Sequence, residues 1–123
     1  MARKPTCTQP ERGSRVKLIK AIIRPDKVDA VKEALTAEGA AGMTGTEVRG
    51  HGKQKGHTAI YRGQEYNVSL LPKMQIEVVV QDFVSDAVCA AIIKAARTGE
   101  IGDGRVFVLP VLQSFKIRTG ELD

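Results

Sequence analysis

Three clusters in this 123-residue chain combine residue types and spacing that permit chemistry. The first is Gly50-His51-Gly52-Lys53-Gln54-Lys55-Gly56. Closely spaced glycines let backbone N–H groups converge on an anion, and the lysines add charge. The stretch fits neither the Walker pattern nor a dinucleotide fingerprint, so alone it specifies an anion and no particular ligand. The second is Thr98-Gly99-Glu100-Ile101-Gly102-Asp103-Gly104-Arg105, which follows a helical pattern and precedes a strand pattern. A dinucleotide fingerprint needs the reverse order, so that reading fails. A nest of amides backed by Arg105 still suits phosphate. The third is Lys116-Ile117-Arg118, where alternation turns both cations to one side, as a phosphate clamp requires. His51 and His57 have no carboxylate pattern around them that would make a triad or a metal cage. Cys7 and Cys89 do not form a metal-ligand pair by spacing. The residues point to anion binding, not to catalysis.

The elements that must position these clusters follow from periodicity. Residues 16–23 (VKLIKAII) alternate and then turn wholly apolar, as a central strand does. Residues 26–38 place Val28, Val31 and Leu35 on one helical face, closed by Gly39. Residues 43–49 (MTGTEVR) and 74–80 (MQIEVVV) read as a second and a third strand. Residues 84–97 set Val84, Val88, Ile92 and Ala95 at helical spacing, with Asp82 or Ser85 available as the cap. Residues 105–112 (RVFVLPVL) read as the fourth strand, with Pro110 marking an edge or a bend. The order βαββαβ is the split, ferredoxin-like α+β arrangement. Helices cover one face of such a sheet, so the other needs a partner, and an oligomer supplies one. The exception to compactness is the polar, glycine-bearing connection over residues 50–72. It is far longer than a hairpin needs and reads as a functional loop.

Composition narrows the classes further. Hydrophobic residues make up 42% and charged residues 27%, which excludes a disordered chain, and no apolar run is long enough to span a bilayer. The absence of Trp, with only three Phe and two Tyr, requires an aliphatic core. The net charge is +5, of which Arg3, Lys4, Arg12 and Arg15 against Glu11 give +3 within residues 1–15. A nucleic-acid field over the whole domain is therefore not indicated. Residues 1–15 read as a disordered or mis-called N-terminal extension, and residues 16–123 as one domain, with a loop over about residues 52–70. Residues 1–15 lack an apolar signal-peptide core, and Cys89 in an apolar helical run reads as a small buried hydrophobe, so a reducing, cytoplasmic home is expected.

The motifs AIIRP, GMTGTEVRGHGKQKGHT, YRGQEY, LPK, TGEIGDGRVFV and IRTGE stand in this order across residues 16–123. In them the chain resembles the PII nitrogen-regulatory signal proteins. It departs at Gln64, where the family commonly has a small residue, and Gln64 excludes the serine that some relatives phosphorylate there. The resemblance implies a homotrimer with ATP or ADP in each cleft between neighbours. Thr44 and Val79 match positions around the adenine, and Gly52, Lys53 and Gln54 match positions near the phosphates. Gly102, Asp103, Gly104, Arg105, Lys116 and Arg118 match the loop and clamp that the resemblance assigns to the neighbouring subunit. The family often has arginine where Lys53 and Lys116 stand; lysine keeps the charge and loses the bidentate geometry.

The same resemblance implies 2-oxoglutarate binding through a shared Mg²⁺, with Gln54 on the metal, Gly56 at the loop root and Lys73 paired with a carboxylate. Tyr66 matches a tyrosine that a nucleotidyltransferase uridylylates or adenylylates in many bacterial members. Arg62 matches an arginine that enters the pore of an ammonium transporter. The implied function is regulation of nitrogen-assimilation proteins through the loop, without enzymatic activity, nucleic-acid binding or membrane insertion. Three alternatives stay open. One is a PII-like paralogue sensing another metabolite such as bicarbonate. The second is a ferredoxin-like RNA-binding module, which needs aromatics on exposed strands where this chain offers only Phe107 and Phe115. The third is a small ferredoxin-like hydrolase, for which no base is evident.

Overall fold

The computed structural model describes residues 15–40, 42–50, 58–61, 64–67 and 70–122, the two short internal pieces by their backbone pairing. Among the described residues six strands and two α-helices follow one another as β1 (Val16–Ile23), α1 (Val28–Ala37), β2 (Thr44–Gly50), β3 (Thr58–Tyr61), β4 (Gln64–Asn67), β5 (Leu71–Gln81), α2 (Ser85–Ala96) and β6 (Gly104–Val111). The main sheet has the order β2-β5-β1-β6, and every neighbouring pair in it is antiparallel. This is the ferredoxin-like order expected from the pattern, with β1 central and β6 at an edge. Pro110 lies on that edge strand, where a missing N–H is tolerated.

Alternation decides which face of the sheet is dry. Ile19, Ala21 and Ile23 of β1 and Ile76, Val78 and Val80 of β5 pack with Val31 and Leu35 of α1 and Val88, Ile92 and Ala96 of α2. The core is aliphatic throughout, and each such large side chain contributes about 1.5–3 kcal/mol by leaving water. On the opposite face, Leu18 lies between Val79 and Leu109 in register, and Lys20 between Glu77 and Phe107. Val79, Phe107 and Leu109 are 46%, 42% and 37% exposed. The open apolar face expected from the sequence is there.

Each helix is entered through a 3₁₀ turn, Pro25–Lys27 before α1 and Asp82–Val84 before α2. The residues before the helices, Lys27 and Val84, make no side-chain cap. The expected cap at Ser85 is instead a bond in which its hydroxyl donates to the Asp82 carbonyl at 2.9 Å, tightening the 3₁₀ turn. Gly39, with φ of +79°, closes α1 as expected. Its N–H reaches the Thr36 carbonyl and the Ala40 N–H reaches the Leu35 carbonyl, a Schellman ending.

The long connection is shorter than the sequence suggested, and its described part holds strands. Leu71 and Pro72 already belong to β5, paired with Gly50 and Arg49. Within the connection, β3 and β4 form a two-stranded antiparallel ribbon in which Tyr61 pairs with Gln64 and Ala59 with Tyr66. Residues 1–14, which include Cys7 and all of the expected extension but Arg15, lie outside the described residues.

Candidate functional site

The central feature is created by unequal strand lengths. β1 pairs with β5 only as far as Met74, while β2 continues to Leu71. Lys73 therefore stands on an overhang past the end of β1. Its side chain is covered by the α2–β6 turn, and the residue is only 8% exposed. The Lys73 ammonium donates to the Gly102 carbonyl of the same chain. Burial pushes its pKa down, the nearby Arg24 guanidinium adds to the lowering, and Asp103 opposes both. A cleft of about 370 Å³ opens beside it, bordered by Pro25, Glu47, Val48 and Arg49.

The turn itself is organised around Asp103. Its Oδ2 accepts the backbone N–H groups of Thr98 at 2.9 Å and Gly99 at 2.8 Å. Its Oδ1 accepts the Thr98 hydroxyl and, at 3.0 Å, Nε of Arg24. A second Arg24 nitrogen donates to the Ile101 carbonyl at 3.0 Å. The Thr98 hydroxyl bond, the two N–H groups and the guanidinium hold the Asp103 carboxyl well below the usual carboxylate range, although its partial desolvation works the other way. The Asp103 carboxylate is thus engaged by its own loop and by Arg24. Gly102, with φ of +102°, and Gly104, with φ of +105°, carry the chain from this hub into β6. At Gly104 a Cβ would lie 1.7 Å from the Ile22 carbonyl oxygen, so only glycine lets β6 start here against β1. Arg105 follows, paired in register with Ile22. Glycines with positive φ, two cations close by and an acid already paired are chemistry that suits an anion.

The other predicted residues are distributed differently. Thr44 and Val79 lie on the open face opposite Glu77 and Leu18. Val79 is six residues along β5 from Lys73, about 20 Å at the strand rise. Lys116 and Arg118 follow Val111, the far end of β6 from Gly104, in an arm closed by the Phe115–Leu122 bridge and by the Lys116 N–H on the Glu121 carbonyl. Within one protomer the adenine positions and the Lys116–Arg118 clamp are therefore set off from the Gly102–Arg105 nest. Lys73 and the nest, in contrast, lie side by side in the same protomer. Gly52, Lys53, Gln54, Gly56 and Arg62 lie outside the described residues, and Tyr66 is described through its backbone in β4.

The family model described as nitrogen regulatory protein P-II matches residues 16–121. This chain belongs to the P-II family. A P-II protein of Rhizobium etli is 54% identical over 108 residues, covering 88% of this chain and 96% of the relative. P-II protein 1 of Escherichia coli strain K12 is 55% identical over the same length and shares of the two chains. A P-II protein of Cereibacter sphaeroides is 55% identical over 106 residues, covering 86% of this chain and 95% of the relative. Nitrogen regulation is thus the general role of this P-II chain, in a regulatory and not an enzymatic family. Among the described residues no helix is long and apolar enough to cross a membrane. Among them, too, no cluster of three His, Cys, Asp or Glu is placed to hold a metal ion. An Mg²⁺ held chiefly by phosphate oxygens does not need one.

One residue of this corner escaped the sequence reading. Thr98 stood in the second cluster, five positions from Asp103, but Arg24 reaches Asp103 across 79 positions, and no spacing rule joins such partners. The one signal was Arg24 itself, a cation set between a strand end and Pro25.

Proposed function

We propose that this P-II protein is a cytoplasmic homotrimer that senses ATP or ADP together with 2-oxoglutarate and controls partner proteins through its long loop. The observation that carries the reading is the contact of the Lys73 ammonium with the Gly102 carbonyl. A cation suited to a dicarboxylate and a glycine nest suited to phosphate occupy one corner of one protomer. The open sheet face, with Val79, Phe107 and Leu109 exposed, favours a trimer. In that trimer a neighbour brings Lys116 and Arg118 toward the nest. The nucleotide is held by Thr44, Val79, Gly52, Lys53 and Gln54 with Gly102, Gly104 and Arg105. Gln54 and the phosphates would hold Mg²⁺, which supplies ligand positions for the keto acid, while Lys73 and Gly56 bind its carboxylate end. Arg62 and Tyr66 face partners, an ammonium transporter or nitrogen-assimilation enzymes, and Tyr66 is the residue for a nucleotidyltransferase.

Calorimetry tests this. 2-Oxoglutarate should bind with Mg-ATP, and far more weakly with ATP plus chelator or with Mg-ADP. ATP and 2-oxoglutarate must raise each other's affinity by the same factor. Arg105→Ala and Arg118→Ala should each weaken ATP by about 1.5–3 kcal/mol, roughly ten- to a hundredfold. Equal 2-oxoglutarate affinity in all three conditions, or bicarbonate binding in its place, overturns the reading in favour of a paralogue.

A further inference from the structure

An acidic side chain inside an anion-binding loop is a contradiction that the structure resolves with Arg24. Asp103 lies between Gly102 and Gly104, in the segment that must receive phosphate if the proposed nucleotide site is right. Left bare, its charge would repel that phosphate. Instead the Arg24 guanidinium, emerging where β1 ends, donates Nε to Asp103 Oδ1 at 3.0 Å and a terminal nitrogen to the Ile101 carbonyl at 3.0 Å. The two groups are partly enclosed, at 28% and 24% side-chain exposure. The other acceptor positions on Asp103 are filled by Thr98 and Gly99, so the carboxylate is drawn into the turn.

We propose that Arg24 is a positioning residue for the nucleotide's phosphates. It cancels the charge of Asp103 and latches the turn to the end of β1, and it acts through Asp103 without touching the phosphates itself. The proposal rests on the nucleotide reading above and adds to it a residue outside the glycine nest. Two residues anchor the turn to the sheet, Arg24 from just past β1 and Lys73 from β5. Of these only Arg24 pairs with the acid.

Charge cancellation has a graded signature. Loss of Arg24 exposes one negative charge to the ligand, so its effect must grow with ligand charge and shrink as salt rises. Arg24→Ala should lower ATP affinity about tenfold, ADP less, and adenosine not at all. In an Asp103→Asn background, where the acid is gone, Arg24→Ala should change ATP affinity by no more than about twofold. Arg24→Lys should restore part of the ATP affinity, since it returns the charge without the fork that reaches two acceptors. Amide exchange of Thr98 and Gly99, measured on the whole ligand-free protein, should speed up in Arg24→Ala. Arg24→Gln, which keeps much of the side chain and removes the charge, provides the same readings should Arg24→Ala not fold.

Several results overturn the proposal. They are an unchanged ATP affinity, equal losses for ATP and adenosine (a general loss of structure), or additive effects in the Asp103→Asn background (direct contact with the nucleotide). If the wild-type protein binds no ATP, the nucleotide reading fails and takes this role with it. If the wild type binds and the variants match it, the latch alone fails.

Discussion

Two helix-to-strand turns occupy equivalent places in the two halves of the fold, and they are built in opposite ways. The turn from α1 to β2 is closed by backbone bonds, with the Gly39 and Ala40 N–H groups on the Thr36 and Leu35 carbonyls. Its glycines at positions 39 and 42 have positive φ and open space around them. The turn from α2 to β6 leaves the helix with Arg97 already extended and gathers its N–H groups on the carboxylate of Asp103. A backbone-closed turn only changes direction. A turn gathered on a side chain holds a shape that depends on charge, and it can be tied to two strands at once. The first needs glycine for its conformation; the second needs glycine, an acid and two cations.

The largest effect that separates the turns should come from their glycines. Gly104→Ala places a methyl group against the Ile22 carbonyl and should cost about 3 kcal/mol or more, read from denaturant melts. Gly39→Ala, strained in φ but meeting no atoms, should cost about 1–2 kcal/mol. Equal losses at the two sites would break the comparison.

Next comes pH. Asp103 titrates well below the usual carboxylate range in the fold, so the stability it adds is complete above the unfolded value of about 3.9. That stability drains away as pH falls below this point. The gap in melting temperature between wild type and Asp103→Asn should stay flat from about pH 5 to 8 and narrow below about pH 4. Amide exchange at Gly39, in the other turn, should not follow it. The smallest effect on stability should be that of Lys73→Met, within about 1 kcal/mol of wild type, because relief of burying a charge offsets the lost bond to Gly102. The same variant should lose 2-oxoglutarate binding, which calorimetry reads directly.

Much of the fold was legible because a half-covered sheet enforces alternation. Residues 16–23 and 74–80 placed β1 and the body of β5 correctly, and Pro110 announced the edge. The β3–β4 ribbon was missed because its strands are only four residues each, too short for alternation to declare itself, although two residues, Arg62-Gly63, between Tyr61 and Gln64 are the length of a tight hairpin. In the candidate site, the glycine nest and Arg105 were legible as a local pattern. Asp103 was expected among the nucleotide contacts, yet its carboxylate serves the turn. Its partner Arg24 could not be paired with it from sequence, since the match is made by strand register and not by spacing.

Placing β1 at the centre also sets a schedule for folding. The first of the described strands pairs with β5 and β6 and with no strand near it in sequence. Val16 meets Val111 and Ile23 meets Gly104, so one flank of β1 stays bare until β6 has been made. Closing such distant ends is slow, and an aliphatic strand held open is a template for the wrong neighbour. Nascent chains stalled before β6 should therefore be more prone to aggregate than chains stalled just beyond it.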